Sequence, residues 1–291
     1  MAISAQMVKE MRERTGLGMM ECKKALVAAD GDIDVAIESM RKSGQARADK
    51  KANRIAAEGR VAVSSGAESA VLIEINCETD FVGKDVAFIA FCDALAAVSG
   101  SVTSVEELLA ATLADGASVE ETRQQLILTI GENIQIRRMA SLSGNDATYG
   151  HYSHGGSIGV IVQLEGGDLE LARDIAMHIA AANPACISEA EVDADVLAKE
   201  REIYLAQAAD SGKPEAIQEK MVDGRIRKYV AEITLLGQAF VKDPDLTIGK
   251  LVDKAGAKVT GFVRYQVGEG IEKKSEDFVA EVMKQAQSSA D

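Results

Sequence analysis

One plan occurs twice along this chain, and that repetition limits its fold more than any other feature. In the first block, strand-like runs at 60–63 and 71–77 bracket Ser64-Ser65-Gly66-Ala67-Glu68, a composition that predicts a hairpin. Helical periodicity follows at 82–98, 104–113 and 118–130, and a strand pattern at 134–142 closes the block. In the second block, 149–153 leads through His154-Gly155-Gly156 into a strand pattern at 157–164. Its apolar run, Ile158-Gly159-Val160-Ile161-Val162, matches the run at 71–77; a helix at 169–182 follows and a strand at 257–267 closes the block. Residue identity between the blocks is weak, but the shared order predicts two similar α+β subdomains. Each is a small antiparallel sheet with helices on one face.

Four segments stand outside the repeat. Ser4 caps a helix over 5–13 with Met7, Val8 and Met11 on one face, and Thr15-Gly16-Leu17-Gly18 breaks it. A second helix over 19–29 turns Cys22, Ala25, Leu26 and Ala29 inward, and Asp30-Gly31-Asp32 precedes a third carrying Ile33, Ala36, Ile37 and Met40. Such a three-helix module has only a small core. Residues 42–58 set Lys42, Arg47, Lys50, Lys51 and Arg54 against Asp49 and Glu58 with almost no large apolar side chain, and read as a solvated linker, helical in part. Inside the second block, polar helical stretches at 189–210 and 214–233 are joined by Ser211-Gly212-Lys213-Pro214. Their thin apolar seams, Val192, Val196 and Ile203 on one and Ile217 and Met221 on the other, predict an inserted antiparallel two-helix hairpin that projects into solvent. The stretch 275–287, with Phe278, Val279, Val282 and Met283 on one face, predicts a C-terminal amphipathic helix. The expected organisation is a three-helix module and linker at 1–54, a first core subdomain at 55–142, a second at 143–272 with the hairpin near 189–233, and a C-terminal helical module at 273–291.

The chemistry expected of this chain is sparse. Its 46 acidic and 32 basic residues leave a formal charge of −14, which repels a phosphate backbone, so no direct nucleic-acid partner is expected. Cys22, Cys77, Cys92 and Cys186 form no C-x-x-C pair and fit a reducing compartment. Met1-Ala2-Ile3-Ser4-Ala5 has no leader pattern and no apolar run approaches the roughly 18 residues a membrane span needs, so the reading is a soluble cytoplasmic protein without membrane contact. Gly155-Gly156-Ser157-Ile158-Gly159 precedes a strand, whereas a phosphate cradle needs a following helix N-terminus. His151 and His154 lack the further ligands of a zinc site. His178, in an apolar helical run, reads as a hydrogen-bonded structural histidine, and Cys77 as a buried strand thiol.

Thr79-Asp80-Phe81-Val82 is the stretch with the most functional promise. It follows the strand at 71–77 and precedes the inward stripe of Phe88, Phe91 and Leu95. Asp80 suits a helix N-cap and Phe81 suits folding back onto the core. Both residues also fall in the turn itself, where side chains are presented to a partner. Met19 and Met20 carry the same ambiguity: one of them suits the core, while adjacent thioethers just after a turn suit an adaptable contact surface.

Arg14-Thr15-Gly16-Leu17-Gly18-Met19-Met20-Glu21-Cys22-Lys23-Lys24-Ala25-Leu26 resembles the N-terminal signature of the bacterial elongation factor Ts family, and Glu78-Thr79-Asp80-Phe81-Val82-Gly83-Lys84-Asp85 resembles its second signature. Gly131-Glu132-Asn133-Ile134, His154-Gly155-Gly156-Ser157-Ile158-Gly159-Val160 and Val267-Gly268-Glu269-Gly270-Ile271-Glu272 resemble further segments of that family, so the resemblance spans essentially the whole chain. Gly83 and Asp85 stand where Ala and Asn are commoner, and Ser157 where a basic residue is common. Since Gly costs about 1 kcal/mol against Ala inside a helix, a looser helix after Phe81 is expected.

The resemblance implies a ubiquitin-associated-like N-terminal bundle and guanine-nucleotide exchange on elongation factor Tu, in its GDP-bound and nucleotide-free states. It implies that Thr79, Asp80, Phe81 and Val82 dislocate Mg²⁺ from the partner's nucleotide site, with Asp80 and Phe81 inserted between helices of the nucleotide domain. His154 would contact the partner near its phosphate-binding loop, and Met19, Met20 and Lys23 would grip the same domain. The second subdomain would reach the partner's third domain and the C-terminal helix would dock on the nucleotide domain. No bond chemistry is implied, hence no enzyme and no cofactor, and a dimer or a two-to-two assembly with the partner stays open. Two other readings compete: an adaptor whose three-helix module binds a folded protein, and an enzyme with a thiol or carboxylate site at Cys77 or Asp80.

Overall fold

The structure is a computed structural model that describes residues 3–210 and 213–272. Its first elements are α1 (Ala5–Thr15), α2 (Met19–Ala28) and α3 (Ile33–Lys51). There follow β1 (Glu58–Ser65), β2 (Ser69–Cys77), α4 (Val86–Val98), α5 (Val105–Ala110), α6 (Val119–Ile130) and β3 (Gln135–Ser143). The remainder is β4 (Ala147–His154), β5 (Ile158–Glu165), α7 (Leu169–Ala182), α8 (Ala194–Ala209), α9 (Glu215–Ile233), β6 (Ala239–Phe240), β7 (Asp243–Thr247), α10 (Ile248–Lys254) and β8 (Lys258–Gln266). The class is α+β, with a three-helix module, two small antiparallel sheets and an inserted helical hairpin. The helix expected at 275–287 lies outside the described residues.

The Ser4 hydroxyl accepts the Met7 amide at 3.2 Å to start α1, and Gly16 ends it in the left-handed region at φ +69°. Val8, Met11, Leu17, Cys22, Leu26 and Ala36 form the module's core, and Leu128 of α6 completes it. The stretch 42–58, expected to be helical in part, is helical as far as Lys51. Two small residues of this stretch, Gly44 and Ala48, are buried where α3 meets the rest of the chain. A methyl on Gly44 would lie 3.0 Å from Leu128 Cδ1, and Ala48 is buried in the core of the first sheet.

Strand β2 is central between β1 and β3, and β5 is central between β4 and β8. Helices α4, α5 and α6 cover one face of the first sheet, where Ile73, Ile75, Phe88, Phe91, Leu95, Leu108 and Ile127 pack. Helix α7 covers one face of the second, packing its Ile175 and Ile179 on Val160 and Val162 of β5. The remaining faces meet each other: Val61, Ala70 and Leu72 pack on Tyr149 and Ile161. A methyl on Gly159 would stand 2.5 Å from Val61 Cγ1, so glycine is what lets the sheets approach this closely. Burial on both faces explains why 71–77 reads as an almost continuous apolar run.

Glu74 interrupts that run, and its carboxylate is fully buried. Arg138 Nε donates to it at 2.6 Å, Arg137 Nη1 at 3.0 Å, Asn76 Nδ2 at 3.1 Å and the Gly268 amide at 2.8 Å. These bonds tie the turn after β8 to the first sheet. Gly268 sits at φ +72°, and a methyl there would collide with the Ala57 carbonyl. The α8–α9 hairpin is present, with Pro214 at the cap position just before α9. The β6–β7 ribbon and α10 between α9 and β8 have no counterpart in the sequence reading.

Candidate functional site

The turn after β2 is held from behind by one carboxylate. Glu132 Oε2 accepts the amides of Glu78 and Thr79, each at 3.0 Å, and Oε1 accepts the Thr79 hydroxyl at 2.7 Å. In return, Glu78 Oε1 accepts the Asn133 amide at 2.6 Å and also faces Arg54 Nη1 at 3.4 Å. Asn133 Nδ2 donates to the carbonyls of Arg54 at 2.8 Å and Ala52 at 3.3 Å, which brings the segment after α3 to the same corner. Gly131, left-handed at φ +90°, ends α6 and aims Glu132 and Asn133 at this corner. Within the turn, the Thr79 carbonyl accepts the Cys77 thiol at 3.1 Å and the Gly83 amide at 3.3 Å.

The turn then divides its side chains. Val82 is buried and Thr79 points back to Glu132, whereas Phe81 is 80% exposed. Asp80 is exposed and accepts Lys84 Nζ at 2.7 Å; that hydrogen bond holds its carboxyl below the usual range. Two alternatives for this stretch are thereby removed. Asp85, not Asp80, caps α4, accepting the amides of Ala87 at 2.8 Å and Phe88 at 3.2 Å. Phe81 does not fold onto the core. The looser helix expected from Gly83 is also corrected: Gly83 lies in a short 3-10 turn (Val82–Lys84) ahead of α4, against the Gly59 backbone. Val86, at the first position of α4, is 82% exposed beside this turn in sequence and was not singled out beforehand.

His154 is exposed at the end of β4, with Nδ1 3.5 Å from the Tyr152 hydroxyl. The Gly155-Gly156 turn beyond it rests on β1, where the Val61 amide donates to the Gly156 carbonyl at 2.7 Å. A methyl on Gly156 would stand 2.6 Å from the Arg60 guanidinium carbon, and Arg60 Nη1 reaches the Gly83 carbonyl at 3.5 Å. Arg60 therefore lies between the Phe81 turn and the His154 turn and brings the two together. Met19 and Met20 are both exposed, at 60% and 65%, so neither is core, and Lys23 is exposed one turn further along α2.

The other candidate groups are structural. His178 is buried and its Nε2 faces Gln238 Oε1 at 2.9 Å. Burial, with Glu132 and Glu58 nearby, pushes the Cys77 thiol up to about 12, so it is a protonated donor rather than a nucleophile at neutral pH. Among the described residues, no three His, Cys, Asp or Glu side chains gather to hold a metal, and no helix is long and apolar enough to cross a membrane.

A family model described as Elongation factor TS matches residues 78–269. A protein named elongation factor Ts from Thioalkalivibrio sulfidiphilus is 61% identical, across 98% of this chain and 99% of its own length. Proteins of the same name from Methylococcus capsulatus and Francisella tularensis subsp. novicida are 56% and 58% identical, across 99% and 97% of this chain and 100% and 98% of their own. The chain belongs to the elongation factor Ts family. Membership places it among the elongation factors of protein biosynthesis. The matched region opens at Glu78, which holds Asn133, and closes at Glu269, whose carboxylate takes Arg138 at 3.3 Å. Glu132, Asn133 and Arg60, which build the site from behind, were not singled out from the sequence. The only sequence signal was the position of Glu132 and Asn133 inside a family-like segment, directly after the glycine that ends a helix.

Proposed function

We propose that this chain is the guanine-nucleotide exchange factor for elongation factor Tu. It binds the GDP-bound partner, promotes GDP release through a nucleotide-free complex and so lets GTP enter. Family membership supports exchange in general. The observation that carries the reading to named residues is Phe81, an aromatic ring 80% exposed on a turn locked from behind. A ring kept in water by a fixed backbone is a preformed anchor for an apolar crevice on another protein.

In this reading Asp80 and Phe81 are the wedge between helices of the nucleotide domain. Thr79 and Val82 are its inner support, and the segment as a whole displaces the partner's Mg²⁺. That ion bridges phosphate oxygens and offsets their charge, so shifting its ligands weakens nucleotide binding. Exchange is reciprocal: whatever factor this chain removes from GDP affinity, GDP removes from the affinity of this chain. The factor acts by favouring a nucleotide-poor conformation and needs neither a covalent step nor a cofactor. His154, joined to the wedge through Arg60, is the contact near the phosphate-binding loop. Met19, Met20 and Lys23 add an adaptable apolar and cationic grip on the same domain.

The test is release of fluorescent GDP from purified elongation factor Tu, with and without catalytic amounts of this chain. Strong acceleration is the expected result. Binding without acceleration would overturn exchange and favour the adaptor reading.

A further inference from the structure

We infer that Glu132 is a positioning residue for exchange: it holds the Asp80-Phe81 wedge in its outward form before the partner arrives. This inference rests on the exchange reading above and adds to it a residue from a different part of the chain. Phe81 is 80% exposed and Asp80 is exposed, so packing on the core cannot fix either side chain. What fixes them is the path of the backbone at the start of the turn. Glu132 takes three donors there, the amides of Glu78 and Thr79 and the hydroxyl of Thr79, at 3.0, 3.0 and 2.7 Å. Hydrogen bonds to an ionised carboxylate are about twice as strong as neutral ones, and amides left without an acceptor at a part-buried corner are costly.

The same corner reaches further. Asn133 carries the turn to the carbonyls of Ala52 and Arg54, just beyond α3. Within α6 itself, Gln125 Nε2 donates to the Thr15 carbonyl at 2.9 Å, and Leu128 in its last turn is part of the core of the three-helix module. Helix α6 thus packs on the module that displays Met19 and Met20, and the segment directly after it supplies the carboxylate that sets Phe81. A turn that is already in its bound form loses little freedom on docking, and a loosened one must be ordered during the step that expels GDP. Removing Glu132 should therefore slow maximal exchange more than it weakens binding.

Glu132→Ala and Glu132→Gln are compared with the unaltered chain in fluorescent-GDP release from elongation factor Tu, over a range of factor concentrations. We expect Glu132→Ala to lower the maximal rate about tenfold while the half-saturating concentration changes less than about threefold, and Glu132→Gln, which keeps one acceptor oxygen, to recover much of the loss. Amide hydrogen exchange at Glu78 and Thr79 should quicken in Glu132→Ala, while the core amides of β2 stay protected. Should Glu132→Ala destabilise the chain broadly, Thr79→Val and Thr79→Ser serve instead. Loss of rate in the first and its recovery in the second is the expected pattern, since only the second keeps the hydroxyl. Full maximal rate in Glu132→Ala, or in Thr79→Val, would overturn the positioning role and leave the exchange reading intact. Failure of the unaltered chain to accelerate release would overturn the exchange reading, and this role with it.

Discussion

Asp80 and Asp85 lie on one turn and do opposite work: Asp85 accepts the amides of Ala87 and Phe88 and starts α4, while Asp80 pairs outward with Lys84. Stability and function are thereby separated over a few residues. Asp85→Ala removes a helix cap and should cost about 1 kcal/mol in urea unfolding, with Asp85→Asn close to neutral. Asp80→Ala removes an exposed ion pair, which solvent screens, and should leave the urea midpoint nearly unchanged. Equal losses from Asp80→Ala and Asp85→Ala would show that the caps have been assigned wrongly.

Phe81→Ala should leave the fold intact, because the ring is 80% exposed and contributes little to the core. Truncation of a buried interface anchor costs about 2 kcal/mol or more, so GDP release promoted by this variant should slow by about tenfold or more at subsaturating factor. Phe88→Ala is the informative contrast. Its ring is fully buried beneath the first sheet, and its loss should cost about 3–5 kcal/mol of folding stability. An unchanged release rate with Phe81→Ala would remove the wedge from the mechanism.

Where structure is determined by near neighbours, the sequence was legible. Helix α7 matches the expected 169–182 because both ends are marked locally, by the Asp168 side chain accepting the Leu171 amide and by Asn183 in the left-handed region. How far α3 would run into the polar stretch was not legible, since its buried residues Gly44 and Ala48 leave no trace in large apolar periodicity. The β6 and β7 strands are too short for alternation to register. At the site, exposure of Asp80 and Phe81 was one of two open alternatives. Two aspartates near the start of one helix compete for its cap, and only the 3-10 turn at 82–84 decides between them. Glu132 was unreadable for a different reason. Its partners lie more than 50 residues away, and nothing in local pattern connects a carboxylate after one helix to a turn after a distant strand.

The buried Glu74 network makes a further prediction. Burial pushes this carboxyl up, but the Gly268 amide, Arg138, Asn76 and Arg137 outweigh it, and the net shift is downward. A carboxyl lowered in the folded state stabilises the fold above its unfolded value of about 4.5, and that stability is lost as pH falls through the folded value. Arg137 and Arg138 keep 27% and 31% side-chain exposure and can be partly rehydrated. Glu74→Ala should therefore cost about 3 kcal/mol at pH 7, the lower end for breaking a buried pair. The gap between variant and unaltered chain should narrow in acid, as the unaltered chain protonates. A gap that stays constant from neutral pH down to the onset of acid unfolding would exclude the carboxylate as the source.

His178, buried, and His151, half-buried on β4, predict a second pH dependence at milder acidity. Burial lowers His178, with the Gln238 bond opposing, and burial together with Arg173 lowers His151, both from 6.5. Above about 6.5 neither the folded nor the unfolded chain protonates these rings, so they carry no pH term. Below it the unfolded chain takes up protons that the folded chain refuses, and stability falls until the folded values are reached. The chain has only three histidines, so each imidazole can be followed separately by NMR. The signals of His178 and His151 should titrate with midpoints below 6.5, and the urea midpoint should fall between pH 7.5 and 5.5. His178→Gln should flatten part of that fall, because it removes one of the two refusing groups. A His178 midpoint at 6.5 would remove its contribution to the slope, and one above 6.5 would mean that protonation is stabilised in the folded chain and would reverse the sign for that residue.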